Sequence, residues 1–184
     1  MSRLVMFDYD PKWPMMYEQE KSRLLSTWDD QVITICHIGS TSVPGLKAKP
    51  IVDIMIIIKD ESKISDRDED MISLGYRCRG ECLDQGGTPG RFYYSKDIGG
   101  LRTYQVHVLQ KGHFDIKQKL DFRDYLRSHP EVAKEYGVLK TKLIDENTKG
   151  IFEYIAGKDE FVRDCIAKAA KWRNTEPMAT PDSF

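Results

Sequence analysis

The sequence predicts an α+β or mixed α/β fold, and three observations carry that expectation. Strand-like segments crowd the first two-thirds of the chain and helical ones the last third. The run Ile51-Val52-Asp53-Ile54-Met55-Ile56-Ile57-Ile58 is almost wholly apolar, as a strand buried on both faces must be. Beyond Gly112 the apolar period changes from that of a strand to that of a helix.

Residues 7–14 hold two prolines and aromatic anchors and read as a turn. Over residues 15–28, Met16, Glu20, Leu24 and Trp28 fall at helical spacing, with Tyr17 and Leu25 alongside, and Pro14 suits the first turn. Asp29-Asp30 breaks that pattern, and residues 31–38 follow as a strand. The segment 60–70 is strongly charged and leads into a short helix, through Met71, Ile72 and Leu74, that stops at Gly75. A short strand over 76–79 precedes the Gly-rich loop 80–90. Residues 91–96 and 104–109 read as two further strands about a turn containing Gly99-Gly100. Alternation places Gln105 and His107 on one face of the latter strand, Val106 and Val108 on the other.

Three helices complete the chain. Leu120, Phe122, Tyr125 and Leu126 mark one that ends before Pro130; Val132, Tyr136, Leu139 and Leu143 mark the next. Phe161, Ile166, Ala169 and Ala170 mark the third. Residues 1–172 read as a single domain, and 173–184, with two prolines and no periodicity, as a flexible tail. There is no internal repeat.

Composition narrows the function classes. With 184 residues, 40% hydrophobic and 31% charged, the chain is long enough for a genuine core. A formal net charge of −1 leaves no electrostatic footprint for nucleic acid or a membrane surface. No apolar run approaches the ~20 residues a bilayer requires. The segment Met1-Ser2-Arg3-Leu4-Val5-Met6-Phe7-Asp8 lacks a signal peptide's apolar centre, so a cytoplasmic location is expected. Cys36, Cys78, Cys82 and Cys165 do not have the spacing of a zinc site or a disulfide framework, and read as reduced thiols.

One stretch organises the rest: His37-Ile38-Gly39-Ser40-Thr41-Ser42-Val43-Pro44-Gly45-Leu46, followed by the buried strand with its single carboxylate, Asp53. An ionised group in such a strand is costly unless paired, hydrogen-bonded or metal-bound. The Gly-Ser-Thr-Ser turn offers small residues whose backbone N–H groups and hydroxyls can approach an anion such as a phosphate.

The layout of strand, Gly-Ser turn, and apolar strand carrying Asp resembles the DNA polymerase β-like nucleotidyltransferases. Carried further, the chain is similar to the GrpB family, assigned to that superfamily. The segments in question include Tyr9-Asp10-Pro11-Lys12-Trp13-Pro14, the turn just quoted, and Lys49-Pro50-Ile51-Val52-Asp53-Ile54. Arg91-Phe92-Tyr93-Tyr94, Val106-His107-Val108 and Phe122-Arg123-Asp124-Tyr125-Leu126-Arg127 extend the likeness to nearly the whole chain. The resemblance implies a nucleotidyltransferase-like mixed sheet flanked by helices, with C-terminal helices. It implies a nucleoside triphosphate on the turn and Mg²⁺ on strand carboxylates.

On that resemblance, Gly39, Ser40 and Thr41 are phosphate contacts, with Lys49 and Arg91 as further phosphate ligands and Tyr93 as a surface for a base. Each has a plainer reading as turn, solvated cation or core aromatic. Asp53 is a metal or cation contact and a catalytic group; otherwise it is a structural ion pair with Lys49, Arg91 or Arg102. The superfamily's second carboxylate is missing, because Met55 stands where strand geometry returns to the same face. His107 is the candidate second metal ligand or proton shuttle, or else a satisfied histidine beside Gln105 or Tyr104. Glu81 is a further acid in the Gly-rich loop, more simply read as solvent-exposed. His37 either orients the turn or packs on the sheet, while Arg123 and Arg127 read as surface pairing. Two functions follow: a nucleotidyl or phosphoryl transferase, and a binding module for a nucleotide or other anionic metabolite that has lost turnover.

Overall fold

The computed structural model describes residues 5–85, 87–146 and 151–175. They form helix α1 (Trp13–Trp28), strands β1 (Val32–Ile38) and β2 (Val52–Ile58), and the short helix α2 (Asp68–Ser73). Strands β3 (Tyr76–Cys78), β4 (Arg91–Ile98) and β5 (Leu101–Gln110) follow, then helices α3 (Phe114–Ser128), α4 (Pro130–Asp145) and α5 (Ile151–Thr175). One five-stranded sheet runs in the order β1-β2-β5-β4-β3. Its central pair, β2 and β5, is parallel and the other pairings are antiparallel. This is the expected α+β arrangement, a mixed sheet with helices on both faces.

The position of β2 explains its composition. Val52, Ile54, Ile56 and Ile58 are fully buried in the main core with Trp13, Leu24 and Trp28 of α1 and Met71 of α2. Met55 and Ile57 point to the opposite face, against Ile38, Leu109 and Leu120 of α3. Each buried side chain contributes about 1.5–3 kcal/mol, so a strand covered above and below has no use for polar alternation. Asp53 shares the α3 face with Met55.

Strand β1 is an edge, and its edge is covered. The Tyr17 hydroxyl donates to the Ile35 carbonyl at 2.7 Å, and Arg123 Nη1 donates to the His37 carbonyl at 3.1 Å. Two alternate carbonyls that would template another strand are thereby occupied. Arg123 is thus tied to the sheet as well as to Asp124, and Arg127 Nε donates to the Ser42 carbonyl at 2.9 Å. Arg123 makes the expected pair with Asp124, and both arginines in addition fasten α3 to the strand end and turn.

Local signals end the elements. Gly75, at φ +89°, follows α2. His113 caps α3 by accepting from the Asp115 N–H at 3.1 Å, and Pro130 opens α4. Val43 and Leu46, just past the turn, pack with Leu126, Ala133 and Tyr136, docking α3 and α4 over that end of the sheet. Helix α5 continues to Thr175, so residues 173–175 are helical where the sequence reads as tail. Arg173 is ion-paired with Asp121 and Asp124 of α3, a tertiary contact that periodicity does not reveal. Residues 176–184 of that expected tail lie outside the described residues. Among the described residues, no helix is long and apolar enough to cross a membrane.

Candidate functional site

The turn after β1 is held from behind. Gly39 takes φ +70° and ψ −174° and leads into a single 3₁₀ turn, Ser40–Ser42. Ser42 Oγ donates to the Gly39 carbonyl at 2.6 Å, and Thr41 Oγ1 donates to the Ile51 carbonyl at 3.2 Å. His37 Nε2 lies 3.0 Å from Thr41 Oγ1. The hydroxyl's one proton goes to Ile51, so the imidazole Nε2 is the donor in that pair. Burial, with Arg127 and Arg123 nearby, lowers the His37 pKa to about 3, and its neutral ring stacks on Tyr17 at 4.8 Å. His37 therefore does both things expected of it: it packs on the sheet side and it positions the turn.

In front of the turn lies a cavity of about 580 Å³. Gly39, Ser40, Thr41, Lys49, Asp53, Arg91 and His107, separate in sequence, all line it. So do four cations that were not among the candidates: Lys119 of α3, Lys140 of α4, and Lys158 and Arg163 of α5, the last paired with Asp159 at 3.0 Å. Lys140 is buried, and its Nζ donates to Ser40 Oγ at 2.8 Å and to the Lys47 carbonyl at 2.6 Å. The Lys49 ammonium sits 5.0 Å from the Tyr154 ring centroid.

The other acids lining the cavity, Asp115 and Asp159, are paired with Arg91 and Arg163, and Asp53 is left facing the lysines. Burial raises its pKa to about 6, against the downward pull of Lys119, Lys49, Lys158 and Lys140. Burial depresses the lysines in turn: Lys140 falls to about 7, with Lys158 and Lys49 adding repulsion, and Lys49, Lys119 and Lys158 are lowered too. The arginines considered as partners for Asp53 are engaged elsewhere. Arg91 pairs with Asp115 at 2.9 Å, while Arg102 pairs with Asp97 at 2.5 Å and donates to the Tyr93 hydroxyl at 3.1 Å.

Donor chemistry does not suit a protein-held divalent ion. Asp53 stands opposite Gln105 in the β2–β5 register, and His107 stands two pairs further on, beside Met55. His107 is stacked on Tyr93 at 5.4 Å, its Nδ1 buried without a hydrogen-bond partner, and burial lowers its pKa well below the usual imidazole range. Among the described residues, no three His, Cys, Asp or Glu groups come together as a metal-holding set. Met55 is fully buried in apolar contact with α3 and does not reach the cavity, so the second strand carboxylate is missing and its place is closed. Glu81 accepts from the Gly90 N–H and shapes the Gly-rich loop. Tyr93, committed to His107 and Arg102, leaves the aromatic wall to Phe122, Tyr136 and Tyr154.

A larger cleft, about 1440 Å³, lies between α1 and α3 along β1. Both aspartates on its α3 wall that face cations are already satisfied: Lys117 pairs with Asp121, Arg123 with Asp124, and Arg173 with both acids. The smaller cavity, with four lysines facing Asp53, is the candidate site.

The family model described as GrpB protein matches residues 3–168. The chain belongs to the GrpB family. It is 41% identical over 165 residues to the UPF0157 protein YqkA of Bacillus subtilis, an alignment covering 90% of this chain and 47% of that protein. The chain thus spans about half the length of that relative, but 82% of the UPF0157 protein BH1888 of Halalkalibacterium halodurans, to which it is 30% identical with 90% of this chain aligned. The crystal structure of the conserved protein GrpB from Enterococcus faecalis superposes with a TM-score of 0.84 and 34% identity, covering 91% of this chain and 98% of that one. The whole GrpB chain therefore shares one fold with this member.

Sequence alone misses the lysines of this GrpB member, yet it holds a trace of two. Lys140 falls on the buried stripe of α4 with Ala133, Tyr136 and Gly137, and Lys158 follows Tyr154 by one helical turn. A lysine interrupting an apolar stripe is unusual enough to flag. Lys119 carries no such signal.

The raised Asp53 pKa has a consequence for stability. The unfolded value is 3.8 and the folded one about 6, so the protonated carboxyl stabilises the fold below pH 3.8 and that contribution is lost as pH rises through 6. Asp53→Asn is expected to gain stability over that window, reaching at most about 3 kcal/mol above pH 6. Urea titrations at pH 4 and pH 8 test this; an equal or lower stability of the variant at pH 8 contradicts it.

Proposed function

We propose that this cavity binds a nucleoside triphosphate or a similar phosphate-bearing ligand, its phosphates lying against the turn 39–42 and the lysines. One observation carries the reading: Lys49, Lys119, Lys140 and Lys158, from one loop and three helices, converge with the turn on Asp53, while the cavity's other acids are paired with arginines. Such a concentration of cations is unfavourable on its own, and a polyanion relieves it. The four free cysteines support a reducing, cytoplasmic setting for the same reading.

On a nucleotidyltransferase-like fold, the reaction this favours is transfer of a nucleotidyl or phosphoryl group to an acceptor hydroxyl. The acceptor oxygen forms the new bond to phosphorus as the bond to the leaving group breaks, which is pyrophosphate for nucleotidyl transfer and the nucleoside diphosphate for phosphoryl transfer. The hydroxyl proton passes to Asp53, whose pKa of about 6 suits a general base near neutral pH. Calorimetry with nucleoside triphosphates, followed by mass spectrometry of products, tests both parts. Binding weakened about tenfold or more by Lys140→Met is the expected result; no binding to the unmodified chain defeats the proposal. Turnover should vanish in Asp53→Asn.

The sealed position of Met55 favours a second reading, a binding module without turnover. It predicts ligand binding with no product formed and no effect of Asp53→Asn on chemistry, because there is none.

A further inference from the structure

The cavity's lysines, and the pairing of two of its three acids with arginines, point beyond a phosphate pocket to the way phosphate charge is neutralised there. We propose that Lys49, Lys119, Lys140 and Lys158 bind the polyphosphate chain of the ligand without a divalent metal. This rests on the phosphate-binding reading above and says which agent balances the charge.

Geometry and charge are the grounds. The four lysines come from the loop before β2 and from α3, α4 and α5, so they surround the space instead of lining one wall. Against them stands Asp53; the cavity's other carboxylates, Asp115 of α3 and Asp159 of α5, are paired with Arg91 and with Arg163. With all four ammonium groups charged and Asp53 ionised, these five groups carry a net charge of about +3, a match for a tri- or diphosphate and more than a monophosphate can balance. A magnesium ion riding in on the ligand's phosphates would add its charge to that of the lysines and find Asp53 as its one unpaired carboxylate, the bare minimum of protein ligands for Mg²⁺. Where two-metal enzymes place a second carboxylate on the strand, this chain places Met55 inside an apolar cluster. Lys140 Nζ, bonded to Ser40 Oγ at 2.8 Å, fixes one ammonium against the turn itself.

The relation of Asp53 to the ligand is then the reverse of a metal ligand's. An acid that holds Mg²⁺ on phosphate strengthens binding, and one that faces phosphate with no metal between weakens it.

Calorimetry on the full chain with inorganic tripolyphosphate, in EDTA and again in excess Mg²⁺, decides the matter. Binding in EDTA is expected, weakened about tenfold or more when Mg²⁺ sequesters the probe. Lys119→Met and Lys158→Met, neither side chain wholly buried, should each weaken it about tenfold, and Asp53→Asn should tighten it. Binding that appears only with Mg²⁺, or that Asp53→Asn weakens, overturns the proposal and leaves the phosphate pocket standing. No binding of tripolyphosphate or of nucleoside triphosphate under either condition removes the pocket reading and this one together. Comparing ATP with tripolyphosphate in EDTA reports whether the nucleoside adds affinity through Phe122, Tyr136 and Tyr154.

Discussion

Glu20→Ala is expected to destabilise the protein by about 3–5 kcal/mol, the usual consequence of stripping one partner from a buried ion pair. Glu20 sits on the inward face of α1, where its neighbours at helical spacing are apolar, and it is fully buried. Its Oε1 accepts from Lys96 Nζ at 2.7 Å and from the Tyr76 hydroxyl at 2.9 Å, while Oε2 accepts from Arg23 Nη1 at 3.0 Å. Lys96, itself 9% exposed, lies 5.2 Å from the Tyr76 ring centroid and 5.7 Å from that of Tyr104. Alanine would leave that ammonium among aromatic rings with no counter-charge, and the phenol without its acceptor. The double replacement Glu20→Met with Lys96→Met should restore most of the loss, since apolar groups of similar volume can replace a buried pair at little cost. Urea unfolding of the two variants separates these cases. A loss below about 1 kcal/mol in Glu20→Ala would show that the network contributes little.

Gly39→Ala is expected to cost about 2–5 kcal/mol, adding backbone strain to overpacking. A φ of +70° with ψ −174° belongs to a region that is essentially glycine's alone. A Cβ there would also stand 2.3 Å from Asp53 Oδ2 and 3.0 Å from Asp53 Cβ and Cγ. Turn and acid are therefore in contact, and alanine would push the carboxylate out of place. Gly45 supplies the control: its φ is +78°, yet an added Cβ meets nothing within 4 Å. Gly45→Ala should thus show the backbone penalty alone. Combining Gly39→Ala with Asp53→Ala should recover the clash and leave the strain, so the two changes couple favourably in a double-mutant cycle. Equal losses for Gly39→Ala and Gly45→Ala would mean that the turn does not rest on Asp53. On the proposed function, Gly39→Ala should also lose phosphate binding, because it displaces the turn against which the phosphates would lie.

What the sequence determined by itself was the sheet's centre and one edge of the site. A continuous Ile/Val run has no stable place except between two covering layers, so β2 was legible from composition, and Asp53 was conspicuous within it. Glycine at position 39 and the hydroxyls beside it marked a turn fit for an anion, and the ordered segments 9–14, 37–46 and 49–54 marked the family. Glu20, at an inward helical position, was visible but uninterpretable, because Lys96 and Tyr76 reach it only when β3 and β4 fold against α1.

The tertiary structure alone decided which charges meet. Lys119, Lys140 and Lys158 are three among many cationic residues of the C-terminal helices, and the packing of α3, α4 and α5 over the sheet turns these toward Asp53. It likewise sent Arg91 to Asp115, Arg102 to Asp97, and Arg123 and Arg127 to backbone carbonyls of the strand and turn. Short-range periodicity records which residues face inward along one element. Electrostatic partners are set by distances between elements, and those exist only once the chain has closed on itself.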